Sequence, residues 1–391
     1  MSLGPRINDA ILDLVTLEHR VDPYFRDTFN ALFQRPLVNM VQFFLRLLHK
    51  NPETRLCQEV VDPDEGRIAA TITEKMKEFT EREYRGRVAE RAGNTKTYGV
   101  VRAEFQVFSD VPDAFKKGMF AEPKSYPAWI RFAGPGPLSP PDVADAGILS
   151  IGVKVMGVSG DKLLDDEKWT IDFSGISCPT FTTPNTKENL KLQAEIYART
   201  PVFYFLKPFD SHLLDMAMQG LYARMNRSPL EVRYWSCVPY LCGEGLAVKY
   251  SVSPTSDYET KIPWNPPDNW LRKSLAMRLA AEDVDLDFQI QAQTDPLRMP
   301  IEDASIEWPE RLSPFVTIAK IRIPKQRFDS PEQLAFANVL SYNPWHTTAI
   351  HRPLGNQNRA RKLIYTHLSE LRQAMNHVQH VEPNGSEVFP Q

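Results

Sequence analysis

Cysteine is scarce in this chain, and the four that occur, Cys57, Cys178, Cys237 and Cys242, have neither CxxC spacing nor histidine pairs beside them. That excludes a zinc ribbon or a disulfide framework and points to reduced thiols in a cytoplasmic protein. No GxSxG elbow and no GxxxxGK[ST] loop occur, and Gly134-Pro135-Gly136-Pro137 lacks the helix that a dinucleotide fingerprint needs after its glycines. Serine-hydrolase and nucleotide chemistry are therefore not expected. Neither sign of charge dominates: 46 basic and 49 acidic residues leave a formal net charge of -3, with no field to draw a polyanion. Nucleic acid is not an expected partner. Long hydrophobic runs are missing too, because the longest apolar stretch, Leu37 to Leu48, is broken by Asn39, Gln42 and Arg46. Its packing against the body is the preferred expectation, with a peripheral contact on a membrane surface left open. Arg6, Asp9 and Asp13 precede any apolar run, which is not the order of a secretory signal.

What the chain does contain is enough to fold: 42% hydrophobic and 24% charged residues, the balance of a globular body. Its 391 residues suit one large core with helical additions better than a string of modules. From Asp9 to about His49 apolar residues recur at helical spacing, including Phe25, Phe29 and Phe44, and residues 68 to 85 predict a further helix. Near Thr97 the pattern changes to alternation. Strands are predicted from Tyr98 to Phe108, Ala128 to Phe132, Ile148 to Val155 and Trp169 to Phe173. After a helical stretch at 185 to 226, further strands are expected at Val232 to Tyr240, Leu246 to Val252, Leu286 to Gln293 and Val316 to Ile323. Short, regularly spaced strands favour an antiparallel barrel or sandwich over a wound parallel sheet. A basic helix over Asn358 to Val378 closes the pattern, with a loose tail expected after Val381. The acidic run Glu282, Asp283, Asp285 and Asp287 alternates with apolar residues and reads as the wet face of a strand, not a cation site.

Three separated segments, in order, resemble the haem catalase superfamily between about residues 85 and 356. Arg91 to Gly99 is similar to the HxKxxG segment that carries the family's distal histidine: Lys96 and Gly99 match, but Asn94 stands at the histidine position. A second register, anchored on Arg87-Val88, puts Glu90 there instead. Tyr126 to Phe132 looks like the P-x-x-VRFS strand, in which Arg131 matches an arginine facing a haem propionate, and Gly152 to Val155 looks like the strand after it. Asp172 to Phe181 is similar to the loop of the distal asparagine, anchored on Pro179 and Phe181, with Ser177 or Cys178 near the asparagine position. Ser341 to His346 and His351 to Gly355 resemble the proximal region. There Tyr342 matches the iron-binding tyrosine and His346 has the family's spacing after it, as a structural histidine or an alternative axial ligand. Asn338 occupies the position of the arginine that lowers the tyrosine pKa, so another cation, or iron itself, must do so.

The resemblance implies an α+β fold: a catalase-like closed antiparallel β-barrel (residues 86–356) with a helical segment before it (1–85) and a helix and tail after it (357–391). It implies haem b as cofactor, bound through Tyr342 as metal ligand with Arg131 and His346 near it, and dimers or tetramers as in the family. Hydrogen peroxide dismutation needs a titrating distal base, and an asparagine does not titrate. The expected activity is instead that of a catalase-related hemoprotein acting on an organic, fatty-acid-type hydroperoxide as lyase, isomerase or synthase. If Glu90 is the distal group, a haem peroxidase results. A haem-free scaffold binding lipid or protein is the third reading.

Overall fold

The computed structural model describes residues 3–390. Helices α1 (Leu3–Val21), α2 (Arg26–Phe29), α3 (Arg35–Leu48) and α4 (Glu65–Glu83) come first, with a π turn joining α2 to α3. Strands β1 (Thr97–Val107), β2 (Ser125–Ala133), β3 (Ser150–Met156) and β4 (Thr170–Ile176) follow, then α5 (Thr186–Tyr197), α6 (Pro201–Leu206) and α7 (Leu213–Tyr222). The second half holds β5 (Tyr234–Trp235), β6 (Tyr240–Leu241), β7 (Ala247–Pro254), α8 (Trp270–Ala281), β8 (Val284–Ala292), β9 (Val316–Ile323), α9 (Pro331–Val339) and α10 (Asn356–Met375).

Every strand pairing is antiparallel. The order β1-β2-β3-β4-β5-β7-β8-β9 returns to β1 through Glu104 to Val107 and closes an eight-stranded barrel, with β6 added beside β7. The expected fold, a closed antiparallel barrel dressed with helices, is the one observed. The strand expected over Val232 to Tyr240 is instead two short pairs around a turn, because Cys237 adopts a left-handed φ of 59° that no ladder accommodates.

Alternation decides what fills the barrel and what faces out. Phe105, Phe173, Phe288, Tyr250 and Phe120 point inward, with Phe173 and Phe288 centroids 4.9 Å apart and Phe105 and Phe288 5.0 Å apart. The one cavity described inside holds only about 20 Å³, room for a water. The lumen is thus a packed core and no ligand chamber. On β2, Ile130 and Phe132 belong to that core, which turns Trp129 and Arg131 to the outer wall, where Trp129 joins Val100, Met156, Ala337 and Leu340 in a second apolar cluster.

The helices cover this outer wall. Helix α9 starts where Ser330 accepts a hydrogen bond from the Gln333 amide and Pro331 occupies the first turn. Its own Gln333 then donates to the Val100 carbonyl of β1. Helix α10 packs Ala360 and Ile364 on Ile68, Ile72 and Met76 of α4. The tail is not loose as the sequence suggests. Glu382 accepts from the Lys168 amide, Glu387 accepts from the Trp129 indole at 2.9 Å, and the Phe389 ring lies 5.9 Å from that of Trp129. The Lys168 amide and the Trp129 indole N–H are the donors the tail satisfies, which composition alone does not reveal. The acidic run behaves as expected: Asp283 and Asp285 pair with Arg322 and Lys320 of β9.

Candidate functional site

The outer faces of β2, β3 and β4 carry Arg131, Gly152, Lys154 and Asp172, and the segment leaving α9 lies across them. Two groups on β4 pin that segment. The Asp172 carboxylate accepts from the Asn343 amide at 2.9 Å, and the Asp172 amide donates to the His346 carbonyl at 3.0 Å. Tyr342 is thereby laid flat on the wall at Gly152, where a Cβ would come within 2.8 Å of its ring. Its hydroxyl lies 3.4 Å from the Trp129 carbonyl. Gly152 is the cradle that lets the tyrosine approach so closely.

Two guanidiniums, Arg91 and Arg131, act on this tyrosine, and a third, Arg372, lies near them. Arg131, nearly buried, clamps the start of β1 by donating to the Asn94 carbonyl at 2.6 Å, the Thr95 carbonyl at 3.1 Å and the Thr97 hydroxyl at 2.8 Å. Arg91 donates to the Ala337 and Leu340 carbonyls at 2.8 and 2.6 Å, and buried Arg372 reaches Leu340 from α10 at 3.0 Å. These last two cap the carboxyl end of α9, a good use for a cation. That use engages one terminal nitrogen of each with carbonyls, and the Arg372 Nε is buried without a partner. Among the described residues no carboxylate forms an ion pair with any of the three. Burial therefore pushes Arg91 down to about 10 and Arg131 and Arg372 well below the usual arginine value, each disfavoured further by its fellow cations in the latter two. The Tyr342 pKa is raised, by burial first and by Asp172 and Glu167 as well; Arg91 and Arg131 oppose the rise without reversing it. These are the cations that position 338 does not supply.

Beside Tyr342 lies a buried ionic cluster. The Lys154 ammonium, 5.7 Å from the Tyr342 ring centre, pairs with Asp172 at 2.8 Å and with Glu167, which also accepts from the Thr170 hydroxyl. His346 Nδ1 sits 2.7 Å from Asp172, and its Nε2 sits 3.0 Å from Asp166. Burial and Lys154 push the His346 pKa down, but Asp172 and Asp166 outweigh them and bring it up to about 9. With both ring nitrogens engaged, the imidazolium has no lone pair for a metal. Glu167, Asp172 and His346 present ligand atoms close together, yet Lys154 fills the space between them as the counter-ion.

This gives a signed pH expectation. A histidine whose folded pKa exceeds its unfolded value of about 6.5 contributes stability that is complete below that pH and disappears as pH rises through about 9. In chemical denaturation, the stability gap between the wild type and His346→Asn should narrow by about 3 kcal/mol between pH 6 and pH 9.5. His212, also raised to about 9, is present in both proteins and cancels. A gap that is flat across this window would show that His346 is not charged in the fold.

The other sequence candidates lie around the same wall with different attachments. Asn94 takes a left-handed φ of 48°, and its carbonyl is the group held by Arg131. Glu90 accepts from Ser139 at 2.7 Å and Tyr84 at 3.4 Å. Ser177 is buried and exchanges hydrogen bonds with the Leu149 backbone, its hydroxyl accepting at 2.8 Å. Cys178 is buried with its pKa pushed up to about 12, so a thiolate is disfavoured there. Phe25 and Phe44, two of the residues that keep helical spacing in the opening segment, are surface-exposed. Sequence reasoning missed Arg91, Arg372, Lys154 and Glu167. The available signal was Lys154, a lone cation in an otherwise apolar strand; nothing in the spacing linked it to Glu167 or joined Arg91 to Arg372.

This wall matches haem b, the group implied by the sequence resemblance, in its donors and not in space: none of the described cavities opens on Tyr342, whose hydroxyl rests on the Trp129 carbonyl. A phenol oxygen suits ferric iron, and unpaired guanidinium donors suit two propionates. No protein-family model matches the chain, and no curated protein is similar to it. Among solved structures, a fungal catalase superposes with a TM-score of 0.57 at 16% identity, covering 87% of this chain and 70% of its own. The fold is therefore catalase-like, and at that identity the likeness extends to the fold alone.

Proposed function

We propose that this chain is a haem protein that transforms organic hydroperoxides of the fatty-acid class and does not dismute hydrogen peroxide. The observation that carries this reading is a set of three neighbouring guanidiniums without carboxylate partners among the described residues, two of them, Arg91 and Arg131, beside Tyr342. Buried cations left unpaired are costly, and an anionic ligand removes that cost. Tyr342 is the residue to hold the iron, Arg131 and Arg372 those to hold the propionates, and Arg91 the one to favour the tyrosinate. Haem, when bound, supplies a redox-active iron able to cleave an O–O bond.

The chain's own residues then set the direction of the chemistry. An amide at Asn94 can orient a peroxide oxygen by hydrogen bonding but cannot accept and return its proton. The Ser177 hydroxyl accepts from the Leu149 amide and does not titrate, so it offers no replacement. Glu90 is the remaining distal candidate, and a peroxidase is the reading that would follow from it; the hydroxyls of Ser139 and Tyr84 already hold its Oε2. Loss of the proton shuttle slows heterolysis of hydrogen peroxide far more than homolysis of an alkyl hydroperoxide.

Titration of the purified protein with haemin tests this directly. One equivalent should produce a saturable Soret band. The loaded protein should consume a linoleic acid hydroperoxide while releasing oxygen from hydrogen peroxide at least about 100-fold more slowly than a catalase, the usual cost of a missing acid–base group. A colourless protein that takes up no haemin would leave a binding scaffold. Rapid oxygen release would mean that a proton shuttle exists after all.

A further inference from the structure

From Arg26 to Leu48, α2, the π turn and α3 run on as one helical rod, about 35 Å long at 1.5 Å per residue. One side of it is seated: Val38, Val41 and Leu45 pack with Met218 of α7 and Ile306, and Gln42 donates to the Ser305 carbonyl. The opposite side is apolar as well. At 100° per residue, Leu32, Pro36, Met40, Phe43 and Leu47 fall within an arc of about 80°, with Phe33 and Phe44 next to it. Met40, Phe43 and Leu47 are 50, 62 and 69% exposed, and Leu32 and Phe33 are comparably bare. Large apolar side chains along a whole helix face are not what a solvated helix presents.

Arg46 and Lys50 supply positive charge near one end of this face, while Arg35 is already paired with Glu307 at 2.7 Å. Between Asp27 and Glu53 the sequence holds Arg35, Arg46 and Lys50 and no acidic residue. Arg46 binds the Arg298 carbonyl at 2.8 Å, which brings the Arg298 backbone and exposed Leu297 to the same end of the rod. At the other end Tyr24 and Trp264, both well exposed, pair at 5.6 Å between centroids. A convex apolar stripe, positive charge near one end and aromatic residues at the other are what a helix lying in a lipid–water interface needs.

We infer that the outward face of the Arg26–Leu48 rod seats this protein on an anionic phospholipid surface, embedded to the depth of its side chains. No described helix is long and apolar enough to cross a membrane, so the contact is one-sided. This inference does not rest on haem or on hydroperoxide chemistry.

Sedimentation with extruded vesicles tests it. The protein should bind phosphatidylcholine vesicles containing 30 mol% phosphatidylglycerol at least about tenfold more tightly than vesicles of phosphatidylcholine alone, and less tightly in 0.5 M salt. The double variant Phe43→Ser/Leu47→Ser should lose about tenfold or more in affinity with an unchanged thermal midpoint, since both side chains already face solvent. A wild-type protein that stays in the supernatant with both vesicle types overturns the inference. So does a wild-type dimer in analytical ultracentrifugation that the same two substitutions convert to a monomer.

Discussion

Replacing Tyr342 with phenylalanine should abolish or grossly shift the Soret band of the haemin-loaded protein, and the fold should survive the change. The hydroxyl makes a single long contact, 3.4 Å to the Trp129 carbonyl, so its removal costs no more than about 1 kcal/mol. The phenylalanine ring still fills the cradle at Gly152. Colour and stability should therefore separate, which distinguishes loss of a ligand from loss of structure. Circular dichroism and the thermal midpoint supply the control. An unchanged spectrum would remove Tyr342 as the axial ligand, and His346 would not inherit the role while Asp172 and Asp166 hold both its nitrogens.

Lys154→Met should be the most destabilising single change at the site, at about 3–5 kcal/mol, with a thermal midpoint lower by roughly 4–6 °C. Methionine occupies similar volume, so the cost arises from the carboxylates left behind. Glu167 and Asp172 are fully enclosed beside it, and the Lys154 ammonium and His346 are the cations they share. Burial pushes the Glu167 pKa up, but Lys154 and the histidines His380 and His346 hold it well below the ordinary carboxylate value. A carboxylate with a depressed folded pKa contributes stability that is present above its unfolded value of about 4.3 and lost as pH falls toward the folded one. The gap between wild type and Lys154→Met should accordingly be widest above about pH 5 and close in acid, where the abandoned carboxylates protonate. Lys154 itself has a raised pKa, the carboxylates outweighing burial, so its contribution persists through neutral pH and fades only as the lysine deprotonates in strong alkali. A gap that grows on acidification would contradict this assignment of charge.

Sequence was sufficient for some elements and not for others, and the division follows the range of the interactions. β2 and β9 are legible because alternation is a property of neighbours along the chain, and the observed β9 (Val316–Ile323) coincides with the expected span. Helix α4 is legible because its buried face, Ile68, Ile72, Met76 and Phe79, keeps helical spacing. The region from Val232 to Tyr240 is not, because its strand formers outweigh the weak local sign of a turn, Ser236 and Pro239 on either side of Cys237. The tail is not legible either: Glu382 and Glu387 look like solvated charges until the Trp129 indole and the amides they accept from are brought to them.

The same division runs through the site. By itself the sequence determined the barrel pattern, the ordered segments that place Tyr342 and Arg131 in a shared region, and the lack of titrating groups at positions 94, 177 and 338. Those are facts of residue type and order, carried by local periodicity. Only the tertiary structure decided that Arg91 and Arg372, 281 positions apart in the chain, meet at the end of α9 and that Arg91 brings a cation to a tyrosine whose neighbour at 338 supplies none. It alone placed Lys154 among Glu167, Asp172 and His346, and it alone left the Leu32 to Leu47 stripe facing outward when the opposite side of the same helix was the one the barrel used. The physical reason is common to all three: burial and long-range Coulomb pairing depend on which surfaces meet, and a helical period says that a face is apolar without saying what covers it.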